Sequence, residues 1–221
     1  MHKLQEHILS VLIMHPTVRY SELKPKDVES NLFMYHLKQL SDQGLVAKVT
    51  GGYSLTAAGK VYADRLSLKT FQPRLQPRIV TLIMLKNDQG QYLLYRRLRQ
   101  PLINMVGFPY GKVHVGEAVL EAATRELKEK TGLAAELSHR GDGYITMSQN
   151  GENVSQVLFH AFLGANASGT LIKKSKVGEA FWADPKEVPG WELMPSVLDL
   201  IEAAGSTGRF FCELNYQLES A

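Results

Sequence analysis

Residues 111–133, GKVHVGEAVLEAATRELKEKTGL, constrain the chain more than any other stretch. A glycine opens the segment, a glutamate follows at 117, and an Arg-Glu-Leu-x-Glu cluster occupies 125–129 ahead of Gly132. Glu126, Glu129 and position 130 lie three and four residues apart, so on a helix they share one face. Carboxylates presented from one side suit a hard divalent cation, whose remaining positions stay open to water and phosphate oxygens. Such an ion polarises a phosphoryl oxygen and lowers the pKa of a bound water that attacks a diphosphate. Gly111 lets the chain turn tightly before the helix, and Gly132 is a natural terminator after it. Arg125 and Glu129 form an i, i+4 pair, which points to Arg125 as a group that orients the carboxylate face. The plainer alternative is an amphipathic helix that buries Ala118, Ala122, Ala123 and Leu127 beneath a solvated charged face.

At 221 residues the chain exceeds the ~100–150 of one typical domain, and two modest domains are expected. Its 25 Lys plus Arg nearly balance 22 Asp plus Glu, and a formal +3 does not by itself announce a nucleic-acid binder. Cys212 is the single cysteine, which excludes an intrachain disulfide and fits a reducing compartment. Apolar residues alternate around it, so it reads as a packed strand residue and not as a reactive thiol. No apolar run approaches the ~18 residues that would span a bilayer. The opening MHKLQEHILSVLIMHPTVRYSEL is broken by His15, Pro16 and Arg19 and reads as a first helix, not a signal peptide. A soluble, cytoplasmic protein with no membrane partner is the expectation.

The segment 67–77, SLKTFQPRLQP, carries two prolines between periodic stretches and reads as a linker. Before it, Leu4, Ile8, Val11 and Leu12 form a helical stripe that Pro16 ends. Ser21 is a candidate cap for a short second helix, and a third helix is expected after Pro25, closed by Gly44. LVAKV and YSLT read as strands joined through Thr50, Gly51 and Gly52, followed by a helix over TAAGKVYADRLS. After the linker, RIVTLIMLKNDQGQYLLYRRL reads as an antiparallel hairpin turning at Asn87–Gly90. Beyond residue 133 come a strand pair in GYITMSQNGENVSQVLFHAFLGA, a short strand in AFWAD and a helix in PSVLDLIEAAG. The tail RFFCELNYQLES alternates with a period of two. That marks a half-buried strand, which must pair with an edge of its own domain or of a partner subunit in a homodimer.

Two resemblances sharpen these expectations. HLKQLSDQGLV (36–46) and YSLTAAG (53–59) resemble parts of the winged helix-turn-helix of bacterial regulators. In that reading Leu37, Leu40, Leu45 and Val46 are core. Ser30, Asn31, Tyr35, His36, Lys38 and Gln39 face outward on the recognition helix, and Lys48 approaches phosphates from the wing. Residues 1–70 hold nine Lys or Arg against six Asp or Glu, a thin surplus for DNA binding, and assembly is the alternative role. Residues 111–133 resemble the Nudix box, Gly-x5-Glu-x7-Arg-Glu-U-x-Glu-Glu-x-Gly-U, where U is a bulky aliphatic residue. Gly111, Glu117, Arg125, Glu126, Leu127, Glu129, Gly132 and Leu133 match it, and Lys130 stands where the second adjacent glutamate belongs.

The resemblance implies an α+β chain, in which a winged helix-turn-helix over 1–70 and a linker at 71–77 precede a Nudix-type α/β/α sandwich with a mixed sheet over 78–221. It also implies hydrolysis of a nucleoside diphosphate linked to another moiety, with Arg125, Glu126, Glu129 and a later acid, Glu179, in catalysis. Glu126 and Glu129 would hold Mg2+ or Mn2+, and Arg96, Arg97, Tyr110 and Gly111 would meet the substrate. Lys130 weakens that expectation, since a unit charge 4 Å away is worth about 4 kcal/mol at an effective dielectric of 20. The other reading is a regulator that contacts DNA through Asn31, Tyr35, Lys38 and Lys48, and whose altered Nudix domain senses a nucleotide-like effector.

Overall fold

The computed structural model describes residues 1–218, and the last residues of the tail segment, 219–221, lie outside the described residues. The chain forms two compact units, Met1–Gln76 and Pro77–Ala221.

The first unit runs α1 (Lys3–Met14), α2 (Tyr20–Leu23), α3 (Ser30–Asp42), β1 (Val46–Val49), β2 (Gly52–Leu55) and α4 (Ala57–Arg65). The stripe on α1 buries Ile8, Leu9 and Leu12 against Phe33, Leu37 and Leu40 of α3. Helix α3 begins later than expected from Pro25, because the Glu29 side chain accepts from the Asn31 and Leu32 amides and supplies the cap. Ser21 is not a cap, since α2 already starts at Tyr20 after Arg19. Strands β1 and β2 pair antiparallel across Thr50 and Gly51. Val18 adds a bridge to Tyr53. Asn31, Tyr35, Lys38 and Lys48 are exposed. His36 is not: its ring is buried and stacks on His2 at 4.0 Å, so it leaves the outward-facing set.

The second unit holds β3 (Arg78–Leu85), β4 (Tyr92–Arg97), β5 (Val106–Gly107), β6 (Tyr110–Lys112), α5 (Val119–Thr131), β7 (Leu133–Gln149), β8 (Glu152–Gly169), β9 (Gly178–Ala183), α6 (Ser196–Gly205) and β10 (Phe210–Gln217). A mixed sheet has the order β10-β7-β8-β3-β6 and a smaller antiparallel one the order β5-β4-β9. The expected β3–β4 hairpin is therefore a correction. The turn at Asn87–Gly90 forms, but only Lys86 and Tyr92 bridge before the strands part into different sheets. The cause is burial, because six consecutive residues of β3, Val80 to Leu85, are buried. A strand apolar on both faces belongs in a sheet interior with neighbours on each side. It lies between β8 and β6, with Val80, Leu82 and Met84 in one core cluster and Ile83 and Leu85 in the other.

The cluster around Leu82 and Phe159 includes Val197 and Leu200 of α6, whereas the cluster around Ile83 and Phe162 includes Ala123 and Leu127 of α5. Helices thus cover both faces of the mixed sheet. Phe159 is fully buried. Its truncation to alanine is expected to destabilise this unit by about 3–5 kcal/mol, measurable as a lower urea midpoint at unchanged slope.

Strand β10 alternates half-buried and exposed residues as its sequence requires, and it pairs parallel with β7 along its whole length. The edge it pairs with is in its own unit, the first of the two options its alternation left open. Cys212 lies on the covered face of this strand, and burial followed by the nearby Asp199 raises its thiol pKa. At neutral pH it is expected to react with a disulfide reagent more slowly than a free thiol, because the thiolate is the nucleophile. Among the described residues no helix is long and apolar enough to cross a membrane.

Candidate active site

Helix α5 carries the charged cluster, and its sequence explains how. Ala122, Ala123 and Leu127 are buried against the sheet while Arg125, Glu129 and Lys130 emerge at its margin. Gly132 ends the helix in the left-handed conformation at φ 72°, where a Cβ would overlap the Thr170 carbonyl oxygen. Ala118, expected in the core, is an exposed cap residue.

Gly111 on β6 faces Glu126, and a Cβ there would overlap the Glu126 carboxyl group. The glycine therefore admits the carboxylate flat against the strand, a packing role in addition to its turn. Arg125 organises the cluster. Its Nε donates to Glu117 Oε1 at 2.6 Å and its Nη2 to Glu117 Oε2 at 2.9 Å, a two-pronged pairing. The same guanidinium reaches Glu126 Oε1 at 2.9 Å, the Lys112 carbonyl at 3.0 Å and Glu129 Oε2 at 3.4 Å. The Arg125 hydrogen bonds, with one donated by the His114 backbone N–H, hold the Glu117 carboxyl at about 2, far below the ordinary carboxylate value. The expected i, i+4 contact with Glu129 exists but is the longest of the set. The dominant partner, Glu117, lies eight residues away and was not singled out from helical spacing.

Lys130 closes the other side of Glu126. Its Nζ lies 3.4 Å from Glu126 Oε2 and donates to the Tyr110 carbonyl oxygen. It also sits over two rings, 4.5 Å from the centre of Tyr110 and 5.4 Å from that of Tyr95. Burial lowers its pKa, and the Glu126 carboxylate offsets that only in part. A carboxylate, a carbonyl and two aromatic faces form a cation cage, and the chain's own ammonium fills it. Both oxygens of Glu126 are thus engaged by cations, while Glu129 is largely exposed. As they stand, these residues do not fit a Mg2+ or Mn2+ ion, which needs free carboxylate oxygens.

Arg97 is buried, donates from Nε to the Pro101 carbonyl at 2.8 Å and lies 5.3 Å from the Tyr110 ring centre. Burial first, then Arg99 and Arg78, lowers its pKa to about 10. Arg97 and Tyr110 line a cavity with Arg78, Leu82, Phe108 and Phe159. Cavity and carboxylate cluster therefore meet at Tyr110 and Gly111, consecutive residues of one short strand.

Arg96 and Glu179 lie elsewhere. Arg96 pairs with Glu192 at 2.7 Å, and Glu179 pairs with Lys174 at 2.7 Å. On β9, Ala180 packs in the α5-side core, and strand alternation turns Glu179 to the opposite face with Phe181. The structure thus brings together Gly111, Arg125, Glu126 and Glu129, with Arg97 and Tyr110 beside them, and leaves Arg96 and Glu179 apart.

Known proteins share this framework. A MutT NUDIX hydrolase from Burkholderia pseudomallei superposes with a TM-score of 0.50 at 27% identity, over 58% of this chain and 98% of its own. A MutT protein from Bacillus halodurans superposes with the same score at 24% identity, over 63% and 90%, and shows the fold alone. An ADP-ribose pyrophosphatase of Methanocaldococcus jannaschii is 33% identical over 85 residues, which is 37% of this chain and 50% of that protein. An 8-oxo-dGDP phosphatase of Mus musculus is 26% identical over 177 residues, 77% of this chain and 51% of that protein. The chain thus spans about half the length of these curated relatives. The NUDIX domain model matches residues 76–201, more than half of the chain, and the protein belongs to the Nudix family.

Proposed function

We propose that the second unit is a Nudix-type hydrolase for a nucleoside diphosphate linked to another moiety, with turnover held low by Lys130. The observation that carries this reading is the junction at Tyr110, where the lined cavity meets the Arg125-centred carboxylates and the fixed cations Arg97 and Lys130. An apolar cavity takes a base or a similar flat group, and guanidinium and ammonium groups at its edge neutralise a diphosphate. The two curated relatives are named for ADP-ribose and 8-oxo-dGDP, both of which contain a diphosphate on a nucleoside. The test is a phosphate-release screen over ADP-ribose, 8-oxo-dGDP, dinucleotides, nucleotide sugars and nucleoside triphosphates with Mg2+ and Mn2+, paired with binding in EDTA. Slow turnover together with binding that survives EDTA is expected. Rapid turnover of any substrate by the wild type contradicts the role given to Lys130, and no binding of any member contradicts the assignment.

The Lys130 ion pair also favours a second reading, a regulator in which the Nudix unit senses such a ligand without cleaving it. The first unit then acts as a winged helix-turn-helix that lays α3 in the major groove. Asn31, Tyr35 and Lys38 are exposed on α3 and Lys48 on β1, where that role needs them. Lys38→Ala and Lys48→Ala are each expected to reduce the salt slope of DNA binding by about one unit. Salt-insensitive binding, or none in a selection from genomic fragments, points to assembly as the role of this unit.

A further inference from the structure

Strand β7 contains an irregularity that re-aims its side chains. His139 lies opposite Phe162 and Gly141 opposite Ala161, so Arg140 is an extra residue in the strand. Residues three apart on a regular strand point to opposite faces, and a bulge reverses that. Before it, Leu133 and Leu137 face the α5-side core, and after it Ile145 and Met147 face the α6-side core. Arg140 turns to the α6 side and donates to the Ala204 carbonyl. His139 and Asp142 consequently share the α5 face, where His160, directly opposite Asp142 on β8, joins them.

The three side chains converge. His139 Nε2 lies 2.8 Å and His160 Nδ1 2.6 Å from the same oxygen, Asp142 Oδ1. One ligand atom from each residue falls within 4.8 Å of the others. We infer that His139, Asp142 and His160 form a binding site for a borderline transition-metal ion, Zn2+ foremost, distinct from the Nudix box. Two imidazole nitrogens and a carboxylate oxygen are the donor set of zinc sites that keep a coordination position open. Imidazole also favours Zn2+, Cu2+ or Ni2+ over the hard Mg2+.

Each of the three is partly exposed, and both histidines border an open groove with Val119, Leu120, Leu137 and Phe162. An ion can therefore enter and retain water. The site is separate from Glu126, since Gly111, against which Glu126 packs, is on β6, and β3 lies between β6 and β8 in the sheet.

The experiment is a Zn2+ titration of the full chain after EDTA stripping and dialysis, read by calorimetry and by histidine NMR. One ion per chain is expected, with shifts confined to His139 and His160. His160→Gln and, separately, Asp142→Asn should weaken it by roughly tenfold to a hundredfold or more. Glu126→Gln with Glu129→Gln should leave it unchanged, which separates this site from the reading of the box. Circular dichroism checks that each variant is folded. Three results each overturn the proposal: no Zn2+ bound by the wild type, affinity unchanged in both folded variants of the cluster, or binding lost in the Glu126, Glu129 variant. The first of these leaves the trio a hydrogen-bonded strut.

Discussion

Replacing Lys130 by glutamate is expected to raise diphosphate hydrolysis at least tenfold in the presence of Mg2+ or Mn2+. The substitution removes the ammonium from Glu126 Oε2 and adds a third carboxylate to the face that already carries Glu126 and Glu129. A tenfold rate change needs only about 1.4 kcal/mol. The Coulomb energy of a unit charge at this range, about 4 kcal/mol at an effective dielectric of 20, exceeds that even after solvent screening. Glu129→Gln should abolish whatever activity the wild type has. A Lys130→Met control separates the loss of positive charge from the gain of a ligand, and it should lie between the wild type and the glutamate variant. Unchanged turnover in both Lys130 variants, with the fold intact, removes Lys130 as the cause of low activity.

Arg125→Ala should have the broadest structural effect. It leaves Glu117 and Glu126 without their shared guanidinium and frees the Lys112 carbonyl. A fall in melting temperature on the order of 5 °C at neutral pH is expected, with loss of ligand binding. The pH signature is specific. The wild-type Glu117 carboxyl is depressed to about 2. An unfolded glutamate titrates near ~4.3. A depressed carboxylate stabilises the fold above its unfolded pKa, and that contribution is lost as pH falls through the folded value. The gap between wild type and Arg125→Ala should thus be constant above pH ~5 and shrink between ~4 and ~2. A gap that does not change with pH argues that the ion pair is not its source. Arg125→Lys should restore it only in part, because an ammonium cannot pair both Glu117 oxygens in the plane.

The parts of this molecule that were legible in its sequence depend on neighbours close along the chain. The Arg-Glu-x-x-Glu spacing, Gly132 at the helix end and the alternation of Cys212, Leu214 and Tyr216 each report a local period, and each has its expected place. Long-range pairing was not legible. The turn at Asn87–Gly90 promised a hairpin, yet β3 is apolar on both faces and takes its partners from β8 and β6. The bulge at Arg140 has no sequence mark, and a regular strand would put His139 and Asp142 on opposite faces. Glu117 is the partner of Arg125 only because the loop before α5 folds back. The burial of His36 was readable, because Phe33, His36, Leu37 and Leu40 follow the i, i+3, i+4, i+7 stripe of a buried helix face.

Calorimetric titration of Mn2+ into the wild type and Lys130→Glu, at one pH and ionic strength, tests most directly whether the ammonium holds the carboxylate site closed. At least tenfold tighter binding by the glutamate variant is the expected result. Equal affinities in two folded proteins would contradict the account.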